Sequence, residues 1–280
     1  MRKVLTVVGA RPQFIKAAPV SSALKKAGCE EILVHTGQHF DASMSDIFFE
    51  ELDLAPPAHH LAINSLSHGA MTGRMLEAIE GLLLEERPDC VLVYGDTNST
   101  LAGALAAAKL DIPVAHVEAG LRSFNRKMPE EINRVATDHL SAHLYCPTAT
   151  AVRNLANEGV TAGVHQVGDV MYDATLFTLR RAETRSTILQ RFGLEPGQYA
   201  VATIHRAENT DDPERLKRVM AFLQSASRER PIVMPLHPRT AKKLGEARDY
   251  PGIRMVEPLG YLDMTLLVNR SASVFTDSGG

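Results

Sequence analysis

Two short apolar runs that each stop on a carboxylate do most to restrict the fold of this chain. Val91–Tyr94 gives way to Gly95-Asp96, and Val114–Val117 to Glu118-Ala119-Gly120. Between them lies the Ala/Leu-rich segment Ser99–Lys109, which has helical character. Strand, helix, strand in that order is the crossover that two parallel neighbouring strands require. In such a unit both strands end on one edge of the sheet, the edge where α/β proteins bind ligands. Asp96 and Glu118 are therefore expected side by side. A further acidic pair, Glu130-Glu131, follows in an Arg-rich loop.

The rest of the chain repeats the pattern. Val4–Val8 reads as a buried strand, Gly9-Ala10-Arg11-Pro12 as a turn and Phe14–Ala27 as a helix. Glu31–Thr36 is a second strand, ending at Gly37-Gln38-His39, and a helix is expected around Ser43–Leu52. In Gly69–Glu86, Met71, Met75, Ile79 and Leu82 recur at helical spacing, which makes them core filler. Helices are expected over Glu130–Ser141, over Thr148–Glu158 with Thr148 as cap, and over Tyr172–Phe192, with short strands at Leu144–Cys146 and His165–Val167. A second α/β series begins at Tyr199–Ile204, which stops at His205-Arg206. Asp212 and Pro213 open a helix as N-cap and first residue. Strands Pro231–Met234, Ile253–Val256 and Val274–Thr276 follow, the last ending at Asp277-Ser278-Gly279-Gly280.

This order predicts an α/β protein of two doubly wound Rossmann-like domains, residues 1–170 and 171–280, facing a cleft lined by strand ends. A phosphate-binding helix usually follows a Ser-Gly-Gly of this kind, so the second domain is expected to be incomplete in this chain. A length of 280 residues accommodates two such domains.

Composition narrows the function by exclusion. A net charge of −3 with dispersed Lys and Arg gives no reason to expect a nucleic-acid or membrane partner. No run approaches the ~20 apolar residues of a membrane span. Cys29, Cys90 and Cys146 are far apart and read as small core residues with reduced thiols, which implies a cytoplasmic setting. No Cys/His metal spacing and no G-x-G-x-x-G loop occurs, so no metal and no cofactor is expected. Gly9 stands alone where a dinucleotide loop would sit. Arg11 and Lys16 flank the helix start there, a position that suits a phosphate or another anion, or simply solvated charges.

Taken together, Gly9-Ala10-Arg11-Pro12 with Lys16, Gly37-Gln38-His39, Gly95-Asp96-Thr97, His116-Val117-Glu118-Ala119-Gly120-Leu121-Arg122, Pro129-Glu130-Glu131-Ile132-Asn133-Arg134, His205-Arg206 and Asp277-Ser278-Gly279-Gly280 resemble the non-hydrolysing UDP-N-acetylglucosamine 2-epimerases. The motifs occur in the family's order across the whole chain. The resemblance implies the architecture of the GT-B glycosyltransferases and interconversion of UDP-N-acetylglucosamine and UDP-N-acetylmannosamine, with a UDP-sugar and UDP as ligands and a homodimer as the assembly. The stretch Ser123-Phe124-Asn125-Arg126-Lys127-Met128 also resembles relatives that epimerise UDP-2,3-diacetamido-2,3-dideoxyglucuronate, whose carboxylate Arg126 or Lys127 could meet unless they are solvated loop charges.

The hydrogen at C2 of such a sugar is not acidic enough for simple enolisation, because C1 is an acetal. The family's route eliminates UDP across C1–C2 to 2-acetamidoglucal and re-adds it with the C2 proton arriving on the other face. That demands a base, an acid and stabilisation of the departing diphosphate. The resemblance places Asp96, Glu118 and Glu130 as proton-transfer or ion-stabilising groups and His205 near the leaving diphosphate. It makes Arg11, Lys16, Arg206, Ser278, Gly279 and Gly280 substrate contacts. His237, at another strand end, is a candidate for the same cleft, and Gln38, His39 and Arg74 match an activating second-substrate site. Each acid also has an ordinary explanation: Asp96 as a helix cap, Glu118 as a partner of Arg122 or Arg134, Glu130 as a first-turn helix acid. A UDP-sugar glycosyltransferase of the same architecture and an inactive UDP-sugar-binding fragment are the competing readings.

Overall fold

The structure, a computed structural model, describes residues 2–38, 51–52, 54–245 and 250–278. The chain divides into two compact units, Met1–Leu176 and Phe177–Gly280, so the division falls inside the helix Val170–Arg185, a little beyond the expected position 170.

The first unit is built on seven parallel strands: β1 (Lys3–Val8), β2 (Glu30–His35), β3 (His59–His60), β4 (Cys90–Tyr94), β5 (Val114–Val117), β6 (His143–Cys146) and β7 (Val164–Gln166). Their order across the sheet is β3-β2-β1-β4-β5-β6-β7. The chain runs outward from β1 in one direction, returns, and continues from β4 in the other. β1 and β4 thus flank a topological switch point, where the loops diverge above the carboxyl ends of the strands and leave a crevice. Pairing of Val91 with Val114 and of Tyr94 with Val117 sets β4 and β5 in step, so Gly95-Asp96 and Glu118 leave the sheet together.

Both faces of this sheet are covered, which explains the continuously apolar strands. One core joins Leu5, Val7, Val91, Val93 and Val114 to Met71, Met75, Ile79 and Leu83 of the helix His68–Glu86. The buried row of that helix ends on Leu83, and Leu82 packs at its margin. The helix Asn98–Lys109 lies so close that Gly103 sits against Val7 and Val93, and its alanines Ala102, Ala104, Ala106 and Ala107 are buried.

The second unit has four parallel strands, β8 (Ala200–Thr203), β9 (Ile232–Pro235), β10 (Ile253–Val256) and β11 (Ser273–Thr276), in the order β10-β9-β8-β11. Its switch point lies between β8 and β11. Met220 and Leu223 of the helix Pro213–Ala226 fill one side of the sheet, and Leu262, Leu266 and Leu267 the other.

Several expectations need correction. The segment expected as one helix over 172–192 is two, Val170–Arg185 and Ile188–Phe192, broken where the Ser186 hydroxyl accepts the Ile188 N–H and donates to Asp263. The two-residue strand β3 and the short helices Ala207–Thr210 and Pro238–Leu244 carry no sequence signal of their own. Cys146 alone among the cysteines is fully buried; Cys29 and Cys90 are half-buried. The helix expected around Ser43–Leu52 lies outside the described residues except for its last two positions, which are helical. Thr148 and Asp212 cap their helices as expected, through the Ala151 and Glu214 amides.

Candidate active site

Asp96 and Glu118 stand at the ends of adjacent strands, each against a cation. Glu118 pairs with Lys16, and Asp96 with Arg134. The Glu118 and Lys16 side chains are both largely buried. Gly95 makes the arrangement possible: its φ is +62°, and a Cβ there would lie 3.3 Å from Glu118 Oε2 and 3.8 Å from Lys16 Nζ.

Neither acid has its ordinary explanation. Thr97, not Asp96, caps the helix Asn98–Lys109, with its hydroxyl accepting the Thr100 N–H. Arg122 is engaged with Asp138 and Glu158, so it does not serve Glu118. Glu118 has a φ of +69° although it carries a side chain. Such backbone is costly and persists where the surroundings over-determine it. Here the Glu118 and Ala119 amides both donate to the Tyr145 carbonyl at 3.1 Å.

The helix Pro129–Leu140 closes this site from the side. Asn133 Nδ2 donates to the Asp96 carbonyl at 2.9 Å, and Arg134 bridges Asp96 and Glu131. The two neighbouring glutamates of this helix part company. Glu131 is 2% exposed and accepts from the Ser123 amide and hydroxyl, the Phe124 amide and Arg134. Burial pushes its carboxyl up, but the bonds from Ser123 and Phe124 and the charge of Arg134 outweigh that and hold it below the ordinary glutamate value. Glu130 is exposed on the first turn. Of the three expected acids, the structure brings Asp96 and Glu118 together and leaves Glu130 at the surface.

Lys16, expected as a phosphate partner, has its ammonium paired with Glu118. Arg11 is exposed at the start of the helix Arg11–Lys26, above β1. Gln38 turns inward, its Oε1 accepting from the Ser99 amide and hydroxyl at 3.0 and 2.8 Å. Arg74 instead lines a hollow of about 450 Å³ with Ala62, Ile63, Asn64, Leu66 and Glu77. His39 lies outside the described residues, as do Gly279 and Gly280.

In the second unit the switch point is organised by Asp277. Its carboxylate, 8% exposed, accepts the backbone N–H groups of His205 and Arg206 and the Asn209 side-chain amide, and lies 3.2 Å from His205 Nδ1. Burial raises the Asp277 carboxyl; the bonds from Asn209, Arg206 and His205 and the His205 charge more than offset it, and the result lies below the ordinary aspartate value. The His205 and His237 rings are 5.8 Å apart. His237 caps its own helix through the Arg239 N–H, and burial, with His205 and Arg239, lowers its tendency to protonate. Arg206 is exposed, with Glu208 at 3.8 Å, and Ser278 is exposed beyond β11.

Four residues that build these sites had no role in the sequence reading: Gln13 and Asp138, which it did not single out, and His116 and Asp277, which it named only as members of motifs. The buried Gln13 accepts from the Gly9 and Ala10 amides and donates to the Tyr94 carbonyl, so it ties the loop after β1 to the loop after β4. Its signal was its place two residues beyond Arg11 in the first helical turn. No group of His, Cys, Asp and Glu among the described residues could hold a metal ion.

The model of UDP-N-acetylglucosamine 2-epimerases matches residues 22–280. The chain is 52% identical to the UDP-2,3-diacetamido-2,3-dideoxy-D-glucuronate 2-epimerase of Pseudomonas aeruginosa, over 99% of this chain and 78% of that protein. The chain belongs to the UDP-N-acetylglucosamine 2-epimerase family. It is also 52% identical to a UDP-N-acetylglucosamine 2-epimerase homolog of Methanococcus maripaludis, over 99% of this chain and 79% of that one. The solved UDP-GlcNAc 2-epimerase of Methanocaldococcus jannaschii superposes with a TM-score of 0.89 at 43% identity, covering 100% of this chain and 79% of that chain. Membership of the epimerase family and the two-sheet parallel architecture agree.

Proposed function

We propose that the protein is a non-hydrolysing 2-epimerase that inverts C2 of a UDP-2-acetamido sugar, interconverting UDP-N-acetylglucosamine and UDP-N-acetylmannosamine. The observation that carries this reading is the pair Asp96 and Glu118, delivered by adjacent parallel strands and each set against a cation. Elimination of UDP needs one group to take the C2 proton and another to return a proton on the opposite face. Two neighbouring carboxylates on rigid strand ends supply both, and Lys16 and Arg134 hold them in place. The bond from C1 to the diphosphate oxygen breaks as the C2 proton leaves; in re-addition that C1–O bond re-forms while a proton is delivered to the opposite face of C2. His205, Arg206, His237 and Ser278 are assigned to the diphosphate, Arg11 to the substrate anion, Glu130 to the sugar, and Gln38 with Arg74 to an activating second substrate. The reading includes a homodimer in the cytoplasm, which sedimentation would check.

Incubation with UDP-N-acetylglucosamine in deuterated water tests this. Deuterium should enter C2 and UDP-N-acetylmannosamine should accumulate. D96N and E118Q should each lose at least ~100-fold in exchange rate, the scale of a positioned acid or base. Sugar transfer without C2 exchange would support the glycosyltransferase instead, and UDP binding without either would support an inactive binder.

A second substrate has its own support. The relative that carries a diacetamido-glucuronate name is 52% identical, level with the UDP-N-acetylglucosamine 2-epimerase homolog of Methanococcus maripaludis. Arg126 and Lys127 are exposed in the loop that Glu131 anchors, where a sugar carboxylate would find them. Exchange on UDP-2,3-diacetamido-2,3-dideoxyglucuronate faster than on UDP-N-acetylglucosamine, and reduced by R126A or K127A, would establish that branch.

A further inference from the structure

Beneath the Asp96–Glu118 pair lies a buried polar chain that none of the proposed chemistry uses. His116 and Asp138 are both 0% exposed, and His116 Nδ1 lies 2.7 Å from Asp138 Oδ1. On the other side of the ring, His116 Nε2 lies 2.7 Å from the carbonyl oxygen of Gly95. Asp138 Oδ2 accepts the Gly120 N–H at 3.0 Å and Arg122 NH1 at 2.6 Å. Arg122 continues to Glu158 through two bonds, at 2.8 and 2.7 Å.

We propose that Asp138 is a positioning residue that sets the spacing of Asp96 and Glu118, acting through His116 on the Gly95–Asp96 loop and through the Gly120 amide on the Glu118 turn. The proposal rests on the reading of those two acids as the proton-transfer pair. Its basis is one buried carboxylate with a bond to each loop. Gly95 and Gly120 each adjoin or nearly adjoin a candidate acid, and each gives one backbone polar group to the pair, the Gly95 carbonyl to His116 and the Gly120 N–H to Asp138.

The donors and acceptors also dictate the state of the ring. A carbonyl oxygen only accepts, so Nε2 must donate to Gly95. Asp138 already takes N–H groups from Gly120 and Arg122, as a carboxylate does, so Nδ1 must donate as well. Both ring nitrogens then carry protons, and the ring bridges the Gly95 carbonyl and the Asp138 carboxylate. The Asp138 carboxyl is consistent with this: burial raises it, and the bond and charge of His116, followed by Arg122, bring it below its ordinary value. The Cys146 thiol nearby stays neutral, pushed up to about 11 by burial and by Asp138.

Two measurements decide the proposal. Histidine ring nitrogen-15 spectra of the unaltered protein at neutral pH, with His116 assigned through its contact with Gly95, should show both nitrogens protonated. D138N keeps the volume but cannot accept from His116, Gly120 and Arg122 together. It should lower kcat for C2 exchange roughly 100-fold, the scale of a ~1 Å misplacement, while KM stays within about twofold. A folded D138N with unaltered kcat, or a His116 ring with one bare nitrogen, would overturn the proposal. If D138N does not fold, the ring spectra of the unaltered protein decide. Absence of exchange in the unaltered protein overturns the functional reading instead, an outcome that D138N cannot mimic.

Discussion

Replacement of Glu131 by Gln should destabilise the first unit by about 2–4 kcal/mol, while the same change at Glu130 should leave stability unaltered. The two residues are adjacent, chemically identical and on the same helical turn. Glu131 Oε1 takes the Phe124 N–H at 2.8 Å, and Oε2 takes the Ser123 N–H, the Ser123 hydroxyl and Arg134 at 2.8–2.9 Å. A glutamine can keep one oxygen position and must point its own amide hydrogens at the donors of the other. In the better orientation it turns its NH2 on the Phe124 N–H. That forfeits one bond to a charged acceptor, worth about 1.5–3 kcal/mol, and weakens a nearly buried ion pair with Arg134. Phe124 also has a φ of +58°, so the loop has little reason to hold its shape once released. Amide hydrogen exchange at Ser123 and Phe124 reads the effect locally, and protection there should fall by roughly 30-fold or more at ~1.4 kcal/mol per decade. E130Q should leave those amides as they are. Equal protection in E131Q and the unaltered protein would refute the account of this loop.

Two other substitutions probe the frame of each unit. G120A should cost ~2 kcal/mol or more in urea unfolding, because Gly120 has a φ of +77° and a Cβ there would stand 2.4 Å from the Ala151 carbonyl oxygen, where neither backbone can yield. For Asp277 the folded carboxyl lies below its unfolded value, so its contribution is present above the ordinary carboxylate range and is lost as pH falls through the lowered folded value. D277N should therefore reduce stability at neutral pH and flatten the acid limb of an unfolding titration. A D277N titration with the same slope as the unaltered protein would count against Asp277 as the organiser of the β8–β11 junction.

Much of the fold was legible because its signals are local. Apolar runs of four to six residues ending in glycine or a carboxylate marked β1, β4 and β5, a run ending at His205-Arg206 marked β8, and the crossover rule then made their neighbours parallel. The spacing of Met71, Met75 and Ile79 marked a helix face that is buried as expected. What escaped was whatever depends on partners distant in sequence. The break in the helix after Arg185 needs Asp263, which is 77 residues from Ser186. The two-residue strand β3 exists only because Val34 and His35 offer it an edge to pair with.

The candidate site divides along the same line. The sequence alone determined that Asp96 and Glu118 would leave one edge of the sheet together, because a right-handed crossover between parallel strands allows no other result. Which cation each acid meets, which of Glu130 and Glu131 is buried, and which groups hold the Gly95 and Gly120 peptides were decided by the tertiary structure. Lys16 reaches Glu118 across 102 positions, Arg134 reaches Asp96 across 38, and Asp138 reaches His116 across 22. Residue type and spacing carry no information about such pairings. They follow from which buried donors and acceptors are left over once the sheet has formed, and burial leaves none of them without a partner cheaply.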